Sequence, residues 1–249
     1  ILDKMENILI TGASEGIGKA LARLYASKGN NLILAARNFE SISLLAKELE
    51  KFRIRAVAIQ TDVSDINSVR NCINQAIADF GKIDTAILNA GISGSESFVG
   101  FTTEQFRRIY DTNVFGILHF IEHLVPLMIQ QGHGVIAGLG SLADSRGFRG
   151  SAAYCSSKIA VSHILESARV DLKQYGINVI NVRPGFVKTT MTDKNKFPMP
   201  FMISAERAAE IIFDGVKKRK RVISFPLPTY ILTTLATYAP DFLFDYFST

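Results

Sequence analysis

Short apolar runs alternate along the chain with segments whose apolar residues return at helical spacing. The runs lie at Asn7–Ile10, Leu32–Ala36, Ala56–Gln60, Ala86–Asn89, Gly134–Leu139 and Asn178–Val182. The helical patterns between them cover Lys19–Ser27, Ser41–Lys51, Ile66–Phe80, Thr112–Gln130 and Ala152–Tyr175. Runs with little polar interruption read as strands buried on both faces, and the intervening helices as crossovers between them. The pattern therefore predicts an α/β protein with a doubly wound parallel sheet. No repeat, low-complexity tract or linker divides residues 1–249, so a single domain is expected. Ligands of such sheets gather beyond the carboxyl ends of the strands, near the point where strand order reverses.

Composition narrows the class. A length of 249 residues with 47% hydrophobic content supports a large core and excludes a disordered chain. The two cysteines, Cys72 and Cys155, have neither zinc spacing nor a disulfide pattern, so a reducing compartment is expected. No secretory pattern opens the sequence, which points to a cytoplasmic location; residue 1 is Ile, and Met5 is a plausible natural start. The net charge of +5 comes from one run, Lys217-Lys218-Arg219-Lys220-Arg221, without which basic and acidic residues balance at 23 each. A nucleic-acid surface is not indicated, because the charge is local and lacks interleaved aromatics.

Two local patterns carry chemistry. Thr11-Gly12-Ala13-Ser14-Glu15-Gly16-Ile17-Gly18 follows the first strand and opens the first helix. That arrangement aims backbone N–H groups and a helix N-terminus at an anion. Gly12 suits the tight turn, Gly16 close approach of a pyrophosphate, and Gly18 helix–strand packing. A nucleotide-triphosphatase loop does not fit, because Ala20 follows Lys19 where a Ser or Thr should hold magnesium. Tyr154 and Lys158 are four residues apart, one turn along one helix face. An ammonium at ~5 Å with an effective dielectric of about 20 is worth roughly 3 kcal/mol, which lowers a phenol pKa by about two units before desolvation is counted. His119-Phe120-Ile121-Glu122-His123 matches an inverted zinc-peptidase pattern, but no further ligand cluster accompanies it and no metal is expected.

Taken with Asp62-Val63, Asn89-Ala90-Gly91, Asn113, Ser141 and Pro184-Gly185, these motifs resemble the short-chain dehydrogenase/reductase superfamily over roughly residues 5 to 225. The resemblance implies a Rossmann-type sheet and an Asn113-Ser141-Tyr154-Lys158 catalytic set. In that set Ser141 positions the substrate oxygen and Tyr154 exchanges its proton. Lys158 holds the ribose hydroxyls and depresses the Tyr pKa, and Asn113 supports a water relay to Lys158. It also implies cofactor contacts from Gly12, Ser14, Gly16, Ile17 and Gly18. Asp62 and Val63 are expected at the adenine, with Asn89, Ala90 and Gly91 lining the cofactor or bracing the sheet. Tyr154, Lys158, Pro184, Gly185, Val187 and Thr189 complete the set.

The end of the second strand selects the cofactor. The family's acidic position falls on Ala36, with Arg37 beside it, so a 2′-phosphate meets a guanidinium and no carboxylate. NADP(H) is expected over NAD(H), although Glu15 stands where many NADP-preferring relatives carry a basic residue. Residues 186–204, rich in Met and Phe, read as a substrate lid with an apolar lining. Residues 226–249 read as a hydrophobic C-terminal extension. Val222–Phe225 is expected as an edge strand with the rest packed on the protein or a partner subunit; the alternative is peripheral membrane contact through residues 217–247. The expected function is alcohol–carbonyl interconversion on a lipophilic substrate by a homodimer or homotetramer. The alternatives are a 3-oxoacyl-thioester reductase and a non-catalytic scaffold.

Overall fold

The computed structural model describes residues 5–94, 98–195 and 197–248; Ile1 to Lys4 and Thr249, within the expected domain, and Lys196, within the expected lid, lie outside the described residues. Among the described residues seven parallel strands form one sheet in the order β3-β2-β1-β4-β5-β6-β7. They are β1 (Asn7–Thr11), β2 (Asn31–Ala36), β3 (Ala56–Gln60), β4 (Thr85–Leu88), β5 (Gly134–Leu139), β6 (Ile177–Pro184) and β7 (Val222–Phe225). The order reverses between β1 and β4, so their carboxyl ends open a crevice, as anticipated.

Side chains alternate across each strand and sort the core into two layers. Ile8, Ile10, Leu32 and Leu34 face α1 (Gly16–Ser27), α2 (Phe39–Leu49) and, through Ile180 and Val182, α7 (Ala205–Lys217). Leu9, Ile33 and Ile136 face α3 (Ile66–Phe80), α5 (Gly116–Gln131) and α6 (Ala152–Leu172). A helix over α4 (Thr103–Tyr110) was not expected. It runs through a π-helical turn at Asp111–Phe115 into α5. By length and apolarity Thr103–Gln131 could cross a membrane. Here Ile117, Phe120, Leu124 and Met128 are spent on the sheet.

The tail takes the packed alternative at its start. β7 pairs with β6 at the sheet edge, and α8 (Leu227–Tyr238) packs on β7 and on the turn after Ser141. α9 (Asp241–Ser248) is held by Arg146, which donates to the Ala239 carbonyl at 3.3 Å and to Asp241 at 2.7 Å. β7 separates the basic run 217–221 from α8 along the chain.

β1 and α1 meet backbone to backbone at a close joint. A Cβ on Gly18 would fall 2.3 Å from the Gly12 carbonyl oxygen and 2.7 Å from Asn89 Nδ2. Gly18→Val is therefore expected to lose at least ~2 kcal/mol of stability in urea unfolding. Gly147→Ala, with nothing within 4 Å of the added carbon, should stay within ~0.5 kcal/mol of the parent.

Candidate active site

A cleft of about 470 Å³ lies over the carboxyl ends of the strands at the crevice. One wall is the turn from β1 into α1, where Gly12 and Gly16 take φ of +65° and +54°. No side chain caps the first turn of α1, whose N-cap is Glu15, so its leading N–H groups are left for a ligand. Ser14, Glu15, Gly16 and Ile17 line the cleft here. Gly18 does not; its work is the close packing already described, as the glycine spacing implied.

Gly16 also has a neighbour that spacing alone does not show: a Cβ there would lie 2.9 Å from the Thr189 Cγ2. Thr189 belongs to the segment after β6, where Val187 and Ile203 form an isolated bridge and Thr192 donates to the Val187 carbonyl at 2.8 Å. This places Pro184, Gly185, Val187, Thr189, Thr190, Met191 and Thr192 along the wall facing the glycine turn. Phe197, Phe201 and Met202 of the same segment are exposed.

At the far end β2 delivers Arg37 to the rim, exposed, with Asn38 and Ser41 beside it. Asn38 caps α2 by accepting from the Ser41 N–H at 3.0 Å. Neither residue figured in the expected set, although the Asn-x-x-Ser cap after Arg37 is a readable sign of polar groups at that rim. Asp62 and Val63 lie opposite. Burial alone would raise the Asp62 carboxyl, but hydrogen bonds from the Ser64 hydroxyl and N–H and the charge of Arg37 outweigh it and hold the pKa low.

Asn89, Ala90 and Gly91 form the floor. Asn89 Nδ2 donates to the carbonyls of Thr11 and Gly12 at 3.0 and 3.2 Å, and the Ala90 N–H donates to Thr11 Oγ1 at 3.0 Å. Bracing of the two sheet halves is therefore the visible use of Asn89. Gly91 leaves space beneath the catalytic groups, since a Cβ there would stand 3.2 Å from Asn113 Oδ1 and 3.6 Å from Lys158 Nζ.

Of the four residues expected to do chemistry, two line the cleft, and Ser141 and Asn113 lie buried close by. The two are Tyr154 and Lys158, which occupy one face of α6, with Lys158 Nζ 5.7 Å from the Tyr154 ring centroid. Lys158 is 4% exposed and donates to the Leu139 carbonyl at 2.7 Å. Ser141 begins the turn after β5, where its Oγ accepts from the Ala143 N–H at 3.1 Å and its side chain hydrogen-bonds Tyr154. Asn113 sits in the π-helical turn, fully buried. Its Oδ1 accepts from the Ile92 N–H at 2.8 Å, and its Nδ2 donates at 3.0 Å to the Ile92 carbonyl and to Ser157 Oγ. Both amide hydrogens are thus engaged in holding the loop after β4 to α6.

The electrostatics differ from the simple estimate. Burial raises the Tyr154 phenol above its ordinary value, against the hydrogen bond with Ser141 that lowers it; neighbouring Cys155 and Asp144 push it up further. Burial also lowers Lys158 to about 8, partly opposed by the charge of Asp144. An amine stripped of water and satisfied by a backbone carbonyl is a weaker counter-charge than a solvated-surface calculation assumes, so among protein groups desolvation wins. The histidine pair is used structurally where its contacts are seen: His119 Nδ1 lies 2.9 Å from the Val63 carbonyl oxygen. No group of three or more His, Cys, Asp or Glu suited to a metal occurs among the described residues.

The cleft fits a dinucleotide: an open helix start for the diphosphate, a polar rim at Arg37, and a buried lysine beneath the centre. Comparison with known proteins agrees. A family model described as short chain dehydrogenase matches residues 6–198. An uncharacterized oxidoreductase of Myxococcus xanthus is 34% identical over 237 residues, covering 95% of this chain and 94% of its own. The NADP-dependent 3-hydroxy acid dehydrogenase of Schizosaccharomyces pombe is 31% identical over 88% of this chain and 89% of its own length. Among solved structures, a short-chain dehydrogenase from Sphingobium yanoikuyae in complex with NADPH superposes with a TM-score of 0.82 at 26% identity, covering 90% of this chain and 89% of that one. The chain therefore belongs to the short-chain dehydrogenase/reductase family and is an NAD(P)-dependent oxidoreductase.

Proposed function

We propose that this enzyme interconverts a secondary alcohol and a ketone, or a primary alcohol and an aldehyde, with NADP(H) and on a lipophilic substrate. The observation that carries the reading is Tyr154 in the cleft, hydrogen-bonded to Ser141 and one helical turn from buried Lys158. The dinucleotide, when bound, supplies or accepts the hydride. The first turn of α1 and Thr189 hold its diphosphate, Asp62 and Val63 its adenine, and Arg37 its 2′-phosphate. Pro184, Gly185 and Val187 bound the nicotinamide end. Ser141 orients the substrate oxygen, and Tyr154 gives that oxygen a proton in reduction and removes it in oxidation. Lys158 holds the ribose hydroxyls and favours the phenolate. Asn113 keeps the loop after β4 on α6, leaving Lys158 a path for proton exchange through water.

Residues 186–204 serve as the lid, and their exposed Phe197, Phe201 and Met202 supply the apolar lining. Exposed Phe115 at the end of the π-helical turn, Ile129 of α5, and Ile159 and Val170 of α6 supply a pairing face for a homodimer or homotetramer. The buried thiols of Cys72 and Cys155 suit the reducing cytoplasm. Reduction of a 3-oxoacyl thioester is the second reading, favoured by a 32% identical relative from Staphylococcus aureus named as a 3-oxoacyl-[acyl-carrier-protein] reductase.

NADPH oxidation is to be followed across aliphatic, aromatic and steroid carbonyls and a 3-oxoacyl thioester. Tyr154→Phe should lower turnover roughly 10²–10⁴-fold while NADPH affinity, read by fluorescence titration, stays unchanged. Undiminished turnover removes the tyrosine from the mechanism. Arg37→Asp should lower the NADPH-to-NADH ratio of kcat/KM by about tenfold or more, because it replaces a fork for the 2′-phosphate with a like charge. An unchanged ratio excludes Arg37 from that site.

A further inference from the structure

Beyond the catalytic groups, one turn further along the same face of α6, side chains from two other elements and from the helix meet at one carboxylate, Asp144, which accepts from Arg183 and Ser162. Asp144 lies three residues after Ser141 in the same turn and is 5% exposed at its side chain. Arg183, next to Pro184 at the end of β6, donates to both carboxylate oxygens, through Nε at 2.9 Å and a terminal nitrogen at 2.5 Å. Ser162, one helical turn beyond Lys158 on α6, donates to Asp144 Oδ2 at 2.6 Å. The contact thus joins the turn bearing Ser141, the helix bearing Tyr154 and Lys158, and the strand that ends in Pro184-Gly185.

We propose that Asp144, Arg183 and Ser162 form a positioning clamp that keeps these three catalytic segments in register and sets the charge facing Tyr154. The geometry supports both roles. A fork on a carboxylate fixes orientation as well as distance, so β6 and the Ser141 turn cannot slide independently. A carboxylate this deep is costly unless its charge is balanced, and Arg183 is the balancing charge. The charge of Asp144 acts on Tyr154 and Lys158 alike, in the direction that keeps both protonated. Arg183 limits that field. The other groups facing Tyr154 are Lys158, whose Nζ lies 5.7 Å from the ring centroid, Ser141 and Cys155; beyond the clamp, His163, Glu166 and Arg169 of α6 and Arg221 before β7 line the groove that borders it.

The inference rests on the acid–base role proposed for Tyr154, and its test separates the two. The measurement is kcat/KM against pH for NADP⁺-dependent oxidation of the best alcohol counterpart from the carbonyl panel, where activity rises as the phenol loses its proton. Asp144→Asn keeps an oxygen for Ser162 and Arg183 but removes the negative charge, so the midpoint should fall by roughly half a pH unit or more. Arg183→Gln leaves the carboxylate unbalanced and should move the midpoint up by a similar amount. The double variant should return toward the parent midpoint while kcat stays about tenfold down, since the register is loosened. An unmoved midpoint in Asp144→Asn, or shifts of one sign in both single variants, overturns the clamp's electrostatic role. If Arg183→Gln does not fold, Asp144→Asn alone decides. Undiminished activity in Tyr154→Phe defeats the acid–base reading and the clamp with it, whereas an inactive Tyr154→Phe beside an unmoved Asp144→Asn defeats the clamp only.

Discussion

The side-chain amide of Asn89 reaches from the end of β4 to the carbonyls of Thr11 and Gly12 at the end of β1, across the place where the strand order reverses. Strands diverging at a crevice leave backbone carbonyls without ladder partners, and an unpaired buried carbonyl is costly. Asn89 satisfies two of them and holds the crevice at a defined width. The packing of Gly18 against Gly12 and Asn89 then places the start of α1 over that gap. The anion-facing turn, the floor at Gly91 and the position of α6 all take their reference from this joint.

The catalytic centre shows burial and charge in opposition. Burying Lys158 weakens it as a cation, and burying Tyr154 weakens it as an acid. Both effects favour the uncharged forms, so the pair is tuned only when further charge enters the cleft or leaves the clamp beyond it. Neighbours matter here more than the Tyr-to-Lys spacing. Ser141 opposes the burial of Tyr154, Leu139 gives Lys158 a neutral acceptor, and Asp144 sets the sign of the remaining field.

Much of the architecture was legible because strands and crossovers carry strong apolar periods and clear stops. β3, β5, β7 and α3 match their expected limits, α3 because Asp65 caps its start and Gly81 closes it in a left-handed turn. α1 begins at Gly16, earlier than the apolar spacing suggested, since a glycine-rich turn carries no period. α4 was missed because it is short and mostly polar, with Ile109 its one buried residue and so no apolar period to read. The placing of Tyr154 and Lys158 together in the cleft could be anticipated from their spacing. Their local charge could not, because desolvation depends on what surrounds a group in three dimensions. The Asp144–Arg183 contact, 39 residues apart in sequence, exists only through the pairing of β5 with β6.

The chain's two sulfhydryl groups are both enclosed. Cys72 lies in α3, where burial raises its pKa to about 11, and Cys155 lies beside Tyr154 in the first turn of α6. An alkylating reagent reaches a sulfur only as thiolate and only when the surrounding packing opens. The rate at which Cys155 is modified therefore reports how often the packing around the opening turn of the catalytic helix loosens, read from the protein's own sulfur without any added probe.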